Sequence, residues 1–187
     1  MAITQAEIDI EVNKFMDEFT EQFKAETIKH GELPEPYAHI LYYDMPSKKI
    51  ERVRLPIGDA MRSEQHKQIF FHVAMPELFK MHQQYFKLIL CVAMVTESWW
   101  WEISTDDPDY KYKMEKRWEL NLPKKDTLSF TFETALWVRN ITLEIIKTSG
   151  KLSLIPLRDI NSKDGNTLEM GGRMLNLFRK YANAKLN

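Results

Sequence analysis

The sequence has a single cysteine, no excess of charge of either sign and no long hydrophobic run. Because Cys91 stands alone, an internal disulfide and a zinc site built from several cysteines are excluded. The 26 basic and 27 acidic residues leave a formal net charge of -1, so no overall field draws the protein to nucleic acid or an anionic membrane. The longest apolar run, residues 88–95, is far shorter than the ~20 residues that cross a bilayer. We therefore expect a soluble cytoplasmic protein without membrane association, in which Cys91 is a buried thiol.

Motifs for metal binding, nucleotide binding and nucleophilic catalysis are also missing. No two of the five histidines have the H-x-x-x-H spacing, and we expect each to be partly exposed with a satisfied hydrogen bond. The acids at 106, 107 and 109 lack the order of a calcium loop and indicate a solvated turn. No serine stands in G-x-S-x-G, and Gly171 and Gly172 lie outside any phosphate-binding glycine motif. The sequence thus predicts neither a metal nor a cofactor and favours a non-catalytic protein.

Helical periodicity predicts two helices in the first half of the chain. Thr4 and Glu7 form a capping box before an apolar stripe over residues 5–29, which predicts a helix about 38 Å long at ~1.5 Å per residue. This is longer than most helices of single domains, so we expect part of it to project from the body or to meet a second chain. A second helix is expected over 63–85, and Pro76 should kink or divide it because proline lacks the backbone donor.

Period-two alternation predicts the strands and the fold class. They are a hairpin of residues 38–44 and 50–57, a central strand over 87–95, two strands within 127–145, and a last strand over 151–157. A polar turn over 159–165 and a closing helix over 168–184 follow. The predicted fold is α+β, a mostly antiparallel sheet of five to six strands with packed helices, in a single domain over 1–187. Residues 104–125 are polar and longer than an ordinary connection, which predicts an insertion or flap.

Three consecutive tryptophans, Trp99, Trp100 and Trp101, follow the predicted central strand. Period-two geometry sends the first and third to one face of the sheet and the second to the other. Such rings suit either core packing under the helices or a partner interface, where tryptophan is enriched. The sequence leaves both interpretations open. We take the three tryptophans as the candidate partner-binding residues.

Glu97 precedes the tryptophans and is the one candidate catalytic residue, a general base. If it is buried beside the indole rings, its carboxylate would suit proton transfer together with a histidine. The candidate histidines are His66, His72 and His82. This combination predicts, as an alternative, a small hydrolase-like enzyme with a Trp-walled pocket, and it requires that Glu97 and one of these histidines converge on one cavity.

The segment from residue 110 to residue 125 interleaves aromatic and basic residues, a combination that stacks bases and binds phosphates of single strands. The candidate nucleic-acid contacts are Lys111, Lys113, Arg117 and Trp118. Acidic residues in the same stretch nearly neutralise these cations. Single-stranded nucleic-acid binding is therefore a second alternative, and a solvated charged flap is the simpler interpretation.

The run Ala-Met-Val-Thr-Glu-Ser-Trp at residues 93–99, after a strand that ends in Leu-Pro-Ile at 55–57, resembles small uncharacterised proteins of phages and mobile elements. In those proteins a strand ends in a Ser-Glu-Ala-Trp-like run before a polar, proline-containing loop. The likeness covers residues 50–157, and this chain departs from it at Thr96 and Ser98 and adds two tryptophans. The resemblance implies no activity. It implies an accessory protein of the host cytoplasm or virion, so we expect an assembly protein that binds itself or another protein through the first helix and the tryptophans.

Overall fold

A computed structural model describes residues 3–32, 37–85 and 87–162 of the chain. It confirms the α+β class, with one six-stranded sheet in the order β2-β1-β3-β4-β5-β6 and antiparallel pairing throughout. The strands are β1 (Tyr37–Asp44), β2 (Lys49–Pro56), β3 (Lys87–Trp101), β4 (Lys124–Glu133), β5 (Val138–Thr148) and β6 (Lys151–Asn161). The helices are α1 (Gln5–His30), α2 (Gly58–Met61), α3 (Glu64–Ile69), α4 (Met75–Gln84) and α5 (Tyr110–Glu115). The predicted closing helix over 168–184, with Gly171 and Gly172, lies outside the described residues.

Strands β3 and β6 are longer than the alternation predicted. The β5–β6 turn has both residues at positive φ, 51° at Ser149 and 77° at Gly150, as a tight type I′ hairpin requires. The polar turn predicted from residue 159 is wrong, because β6 stays paired with β5 up to Asn161. Arg139 on β5 donates two hydrogen bonds to the Asp159 carboxylate, at 3.0 and 2.7 Å, which keeps this polar residue in the sheet.

Helix α1 covers one face of the sheet along its whole length. It begins at the predicted capping box, where the Glu7 carboxylate accepts the Thr4 N–H at 2.7 Å, and it ends at Gly31 in the left-handed conformation. Its 26 residues span about 39 Å at ~1.5 Å each. Ile8 near its start packs on the same buried cluster as Phe23, and Thr27 near its end is fully buried. The expected projection of α1 is therefore wrong, because the helix uses its length to cross the sheet.

The opposite face of β1, β2 and β3 is covered by α4, by the helical turn between α3 and α4, and by Met61 of α2. Phe71, Met75 and Phe79 pack there on Ile40 and Val92. The turn over Phe70–Ala74 is π-helical, and the Met75 N–H donates to the carbonyl of Phe70, five residues earlier. A proline clashes with the carbonyl four residues before it, and the widened turn absorbs this conflict. The division expected at Pro76 therefore takes the form of a π turn directly before it.

The capping box supplies the first testable expectation. Replacing Thr4 with alanine removes the hydroxyl that accepts the Glu7 N–H, so the free energy of unfolding should fall by about 1 kcal/mol. Thr4→Ser keeps the hydroxyl and should stay close to the parent. Urea denaturation of the three proteins measures this difference, and equal losses in both variants would contradict the role of the cap.

Candidate functional site

The chain leaves the sheet between β3 and β4 and returns to it as a flap, residues 102–123. The base of the flap is closed, because the Glu102 N–H donates to the Pro123 carbonyl at 3.1 Å. The predicted flap boundary of 104–125 is wrong at its end, since Lys124 and Lys125 belong to β4 and pair with Trp101 and Trp100. Lys125 is held in the strand by two carboxylates, at 2.8 Å from Glu102 and 3.1 Å from Glu144.

Asp107 organises the first half of the flap. Its carboxylate accepts the Asp109 N–H at 2.9 Å and the Lys113 ammonium at 2.6 Å. The Lys113 hydrogen bond lowers the pKa of Asp107, and the same contact raises the pKa of Lys113. The acidic run at 106–109 thus shapes a turn, and no group of three or more histidine, cysteine or acidic side chains gathers around a metal position within the described residues.

Trp118 of the flap lies against Trp99 and Trp101, two of the three consecutive tryptophans. The rings of Trp101 and Trp118 have centroids 4.6 Å apart, those of Trp99 and Trp118 5.7 Å, and those of Trp99 and Trp101 6.4 Å. All three pairs are edge-to-face, with interplanar angles of 68–78°. We call Trp99, Trp101 and Trp118 the indole cluster. Trp99 remains 47% exposed and Trp118 63% exposed, so the cluster forms part of the surface.

Two cations lie against the indole cluster. The Arg117 guanidinium is 5.6 Å from the Trp101 ring centre and 5.7 Å from the Trp118 ring centre, and Arg117 also donates to the Met114 carbonyl. The Lys124 ammonium is 4.0 Å from the Trp99 ring centre. These distances are within the range of cation–π attraction. The exposed Asp126 is the register partner of Trp99, so the surface carries charges of both signs.

Trp100 takes the opposite face of the sheet, as period-two geometry predicted. The Arg158 guanidinium lies 5.5 Å from the Trp100 ring centre. None of the three consecutive tryptophans belongs to the buried core, so the interpretation as core packing under helices is wrong. The reason is that β3 extends to Trp101, beyond the buried positions that end at Val95, and the flap supplies the rings' neighbours. The three candidate partner-binding residues therefore lie on two faces of the sheet, and Trp118 of the flap lies beside Trp99 and Trp101.

The candidate catalytic residues do not converge. Glu97 is exposed and pairs with Leu128, so the burial that a role as general base requires is not met. His66 on α3 and His72 on the π-helical turn are both exposed. His82 stacks on Tyr42, whose register partner Ile89 stands eight positions before Glu97, roughly 26 Å along the strand. The geometry therefore gives no support to a Glu97–histidine enzyme.

The two buried histidines also differ from the expectation of a satisfied hydrogen bond. His82 is buried against Tyr42, and its Nε2 has no hydrogen-bond partner within the described residues. Its pKa is lowered by burial and by the charge of Lys87. Both ring nitrogens of His39 lack a partner in the same part of the chain. Burial is the main cause that lowers the pKa of His39 to about 4, and Arg54 adds to it.

The buried carboxylate of the described sheet is Glu133, which sequence reasoning missed. It ends β4, pairs with Val92 in the middle of the sheet and is 2% exposed. Alternation alone placed it on a polar strand face, because the helices that cover that face are remote in sequence. Its charge adds to burial in raising the pKa of the Cys91 thiol. Cys91 is fully buried, as predicted, and a thiol in this setting is unreactive.

The candidate nucleic-acid residues occupy the flap but differ in their surroundings. Lys111 is exposed on α5, whereas Lys113 is paired with Asp107. Arg117 lies over indole rings, and Trp118 is the exposed member of the indole cluster. The cations of the flap are therefore largely turned toward carboxylates and rings of the protein itself.

Comparison with protein-family models, with curated proteins and with solved structures found no match to this chain. None of the described helices is long and apolar enough to span a membrane. The resemblance to phage and mobile-element proteins therefore rests on the sequence pattern alone. The function has to be argued from the geometry of the site.

Proposed function

We propose that this protein is a non-catalytic interaction protein and that the indole cluster is its binding surface. The observation that carries this proposal is that Trp99 and Trp118 stay about half or more exposed while they pack edge-to-face with Trp101. Exposed aromatic area of this size is costly in water and is typical of interface hot spots. The contacts between the rings also hold them in fixed orientations, so a partner loses less side-chain entropy on binding.

The partner that the surface fits best is a second copy of this chain. In a two-fold symmetric interface the same patch meets itself, so a patch with both signs of charge is self-complementary. Arg117 and Lys124 lie on one part of the surface, and Asp126 is the register partner of Trp99 beside them. The net charge of -1 adds little repulsion between copies. Homodimerisation through the indole cluster follows.

The proposal is tested by the oligomeric state of the full chain. Sedimentation equilibrium should show a dimer, and Trp118→Ala should weaken it about 30-fold, the equivalent of ~2 kcal/mol for one hot-spot ring. Because Trp118 is largely exposed, this change should leave the unfolding temperature almost unaltered. Tyr85→Ala is the matched control, since it removes an equally exposed aromatic ring at the end of α4.

Two results would contradict dimerisation through this surface. One is a chain that stays monomeric at high micromolar concentration. The other is a dimer that Tyr85→Ala and Trp118→Ala weaken equally. A monomer that binds another protein of its native source only while Trp118 is intact would support the indole cluster as the binding surface. It would also show that the partner is that protein and not a second copy of this chain.

Single-stranded nucleic acid is the second candidate, because exposed indoles beside Arg117 and Lys124 are the groups on which bases stack. It is less favoured because Lys113 and Lys125 are held by carboxylates at 2.6 to 3.1 Å. Fluorescence titration of the tryptophans with an oligonucleotide distinguishes nucleic-acid binding from dimerisation. Binding that falls steeply with added salt would favour nucleic acid, since released counterions drive such binding.

The biological setting belongs to the same proposal. The pattern at residues 93–99 resembles phage and mobile-element proteins, which favours an accessory protein acting in the host cytoplasm or in a virion. The buried thiol of Cys91 suits the reducing interior of a cell.

A further inference from the structure

A cleft lies between α1 and the β5–β6 end of the sheet, away from the indole cluster. Its volume of about 520 Å³ is within the range of small-molecule sites. The sheet contributes an apolar floor, which includes Ile141, Leu143 and Pro156. The helix contributes residues spaced three and four apart, so they share one face along the cleft: Asp17, Thr20, Glu21 and Lys24.

Thr20 is the unusual member of the helix wall. Its side chain is 5% exposed, and its hydroxyl has no hydrogen-bond partner within the described residues. Buried hydroxyls in folded proteins are almost always hydrogen-bonded, because an unmade bond costs free energy. The Thr20 hydroxyl therefore gains a hydrogen bond if a molecule bound in the cleft reaches it.

The charges around the cleft form pairs within each wall. Lys24 and Glu21 are 2.8 Å apart along α1, and Arg139 holds Asp159 across β5 and β6 at 2.7 Å. Asp17 adds a further carboxylate on the helix side. Both walls thus offer a cation and an anion above an apolar floor. This arrangement complements a short molecule that carries one charge of each sign and an apolar body.

We propose that the cleft binds a zwitterionic peptide of dipeptide size with an apolar side chain. Its carboxylate would meet Arg139 and Lys24, its ammonium would meet Asp17 and Glu21, and its side chain would cover Ile141. The site is separate from the indole cluster, so the proposal stands whether or not the protein dimerises.

The test is an amide-resolved NMR titration of the full chain with three probes. Alanyl-leucine carries both charges, its N-acetyl form lacks the ammonium, and its C-terminal amide lacks the carboxylate. Alanyl-leucine should shift the amides of Thr20, Lys24 and Ile141, and each of the other two probes should bind about tenfold more weakly or worse, since each loses a charged hydrogen-bonded contact.

Three variants distinguish binding in the cleft from a general effect on the protein. Arg139→Gln should remove the response to alanyl-leucine, whereas Lys49→Gln, which removes an exposed cation at the start of β2, should leave it unchanged. Thr20→Val keeps the shape of the side chain without its hydroxyl. It should raise or preserve the unfolding temperature of the unliganded protein and weaken the binding of alanyl-leucine. A purely structural role of Thr20 would not produce this combination.

The proposal is overturned if alanyl-leucine shifts no cleft amide at millimolar concentration. It is also overturned if the three probes bind with equal affinity, because charge recognition would then be absent. Shifts that remain in Arg139→Gln and cluster elsewhere on the surface would locate binding outside the cleft.

Discussion

Phe19→Ala is expected to lower the free energy of unfolding by about 3–5 kcal/mol, the loss typical of a deleted core phenylalanine. Phe19 is fully buried where α1 meets the sheet. Its ring centroid lies 4.7 Å from that of Phe23, 5.7 Å from Phe132 and 6.2 Å from Phe130. Removing the ring leaves a cavity among side chains of a helix and a strand, which cannot both move to fill it. Urea denaturation at neutral pH measures the loss.

Ile10→Ala is the control for Phe19→Ala, because it truncates a largely exposed residue of the same helix. Its effect should stay within about 0.5 kcal/mol, as is usual for surface positions. Similar losses in the two variants would show that helix propensity, and not the packing of α1 on the sheet, determines stability.

Acidification from pH 7 to pH 4 should cost about 3 kcal/mol of stability through His39 alone, at ~1.4 kcal/mol per pKa unit. The imidazole is enclosed by aromatic rings, with Phe19 at 4.9 Å and Phe23 at 5.8 Å between centroids. Burial lowers its pKa from 6.5 to about 4, with smaller contributions from Arg54 and Arg52 against an opposing one from Glu26. Below pH 6.5 the His39 imidazole therefore binds a proton in the unfolded chain, whereas in the folded chain it stays neutral until the pH approaches 4. The contribution of His39 to the free energy of unfolding is therefore fully present above pH 6.5, and it is lost as the pH falls toward 4.

His39→Phe should remove most of this acid sensitivity, because the substituted ring is apolar and cannot titrate. A shallow slope should remain through His82, whose pKa is also lowered by burial. His30→Gln is the matched control, since His30 is exposed in the last turn of α1. Urea denaturation of the parent and the two variants between pH 7 and pH 4 measures the free energies of unfolding that test this prediction. An unchanged slope in His39→Phe would show that other groups cause the acid sensitivity.

Features set by neighbours in the chain were predictable. The capping box at Thr4 and the stop at Gly31 are built from residues within a few positions of each other, and the structure confirms both. The alternation of β4, β5 and β6 fixed which side chains share a face, and the antiparallel pairing confirms the predicted meander. The ends of the strands were less predictable. Arg139 and Asp159 stand 20 positions apart, and their contact, like the pairing of β6 with β5 up to Asn161, depends on residues remote in sequence.

The candidate site was predictable only in pieces. The sequence placed Trp99 and Trp101 on one face, but it assigned Trp118 to a separate nucleic-acid surface. The flap of 22 residues brings these rings together. Its closed base returns the chain to β4 directly beside the end of β3. Whether Glu97 is buried could not be decided from the sequence for a related reason. Neighbouring indoles are compatible with a covered position, but the structure leaves the Glu97 side chain exposed.

The sequence by itself determined the α+β class, the hairpins, the length and caps of α1, and the solitary thiol, because each follows from residue types at short spacings. Tertiary structure decided which helix covers which face, and through this the burial of Glu133 and His39 and the exposure of Glu97. It also decided that Trp118 joins Trp99 and that a charged cleft opens beside Thr20. The physical reason is that burial and convergence depend on elements distant in the chain, and periodicity carries no information about their docking.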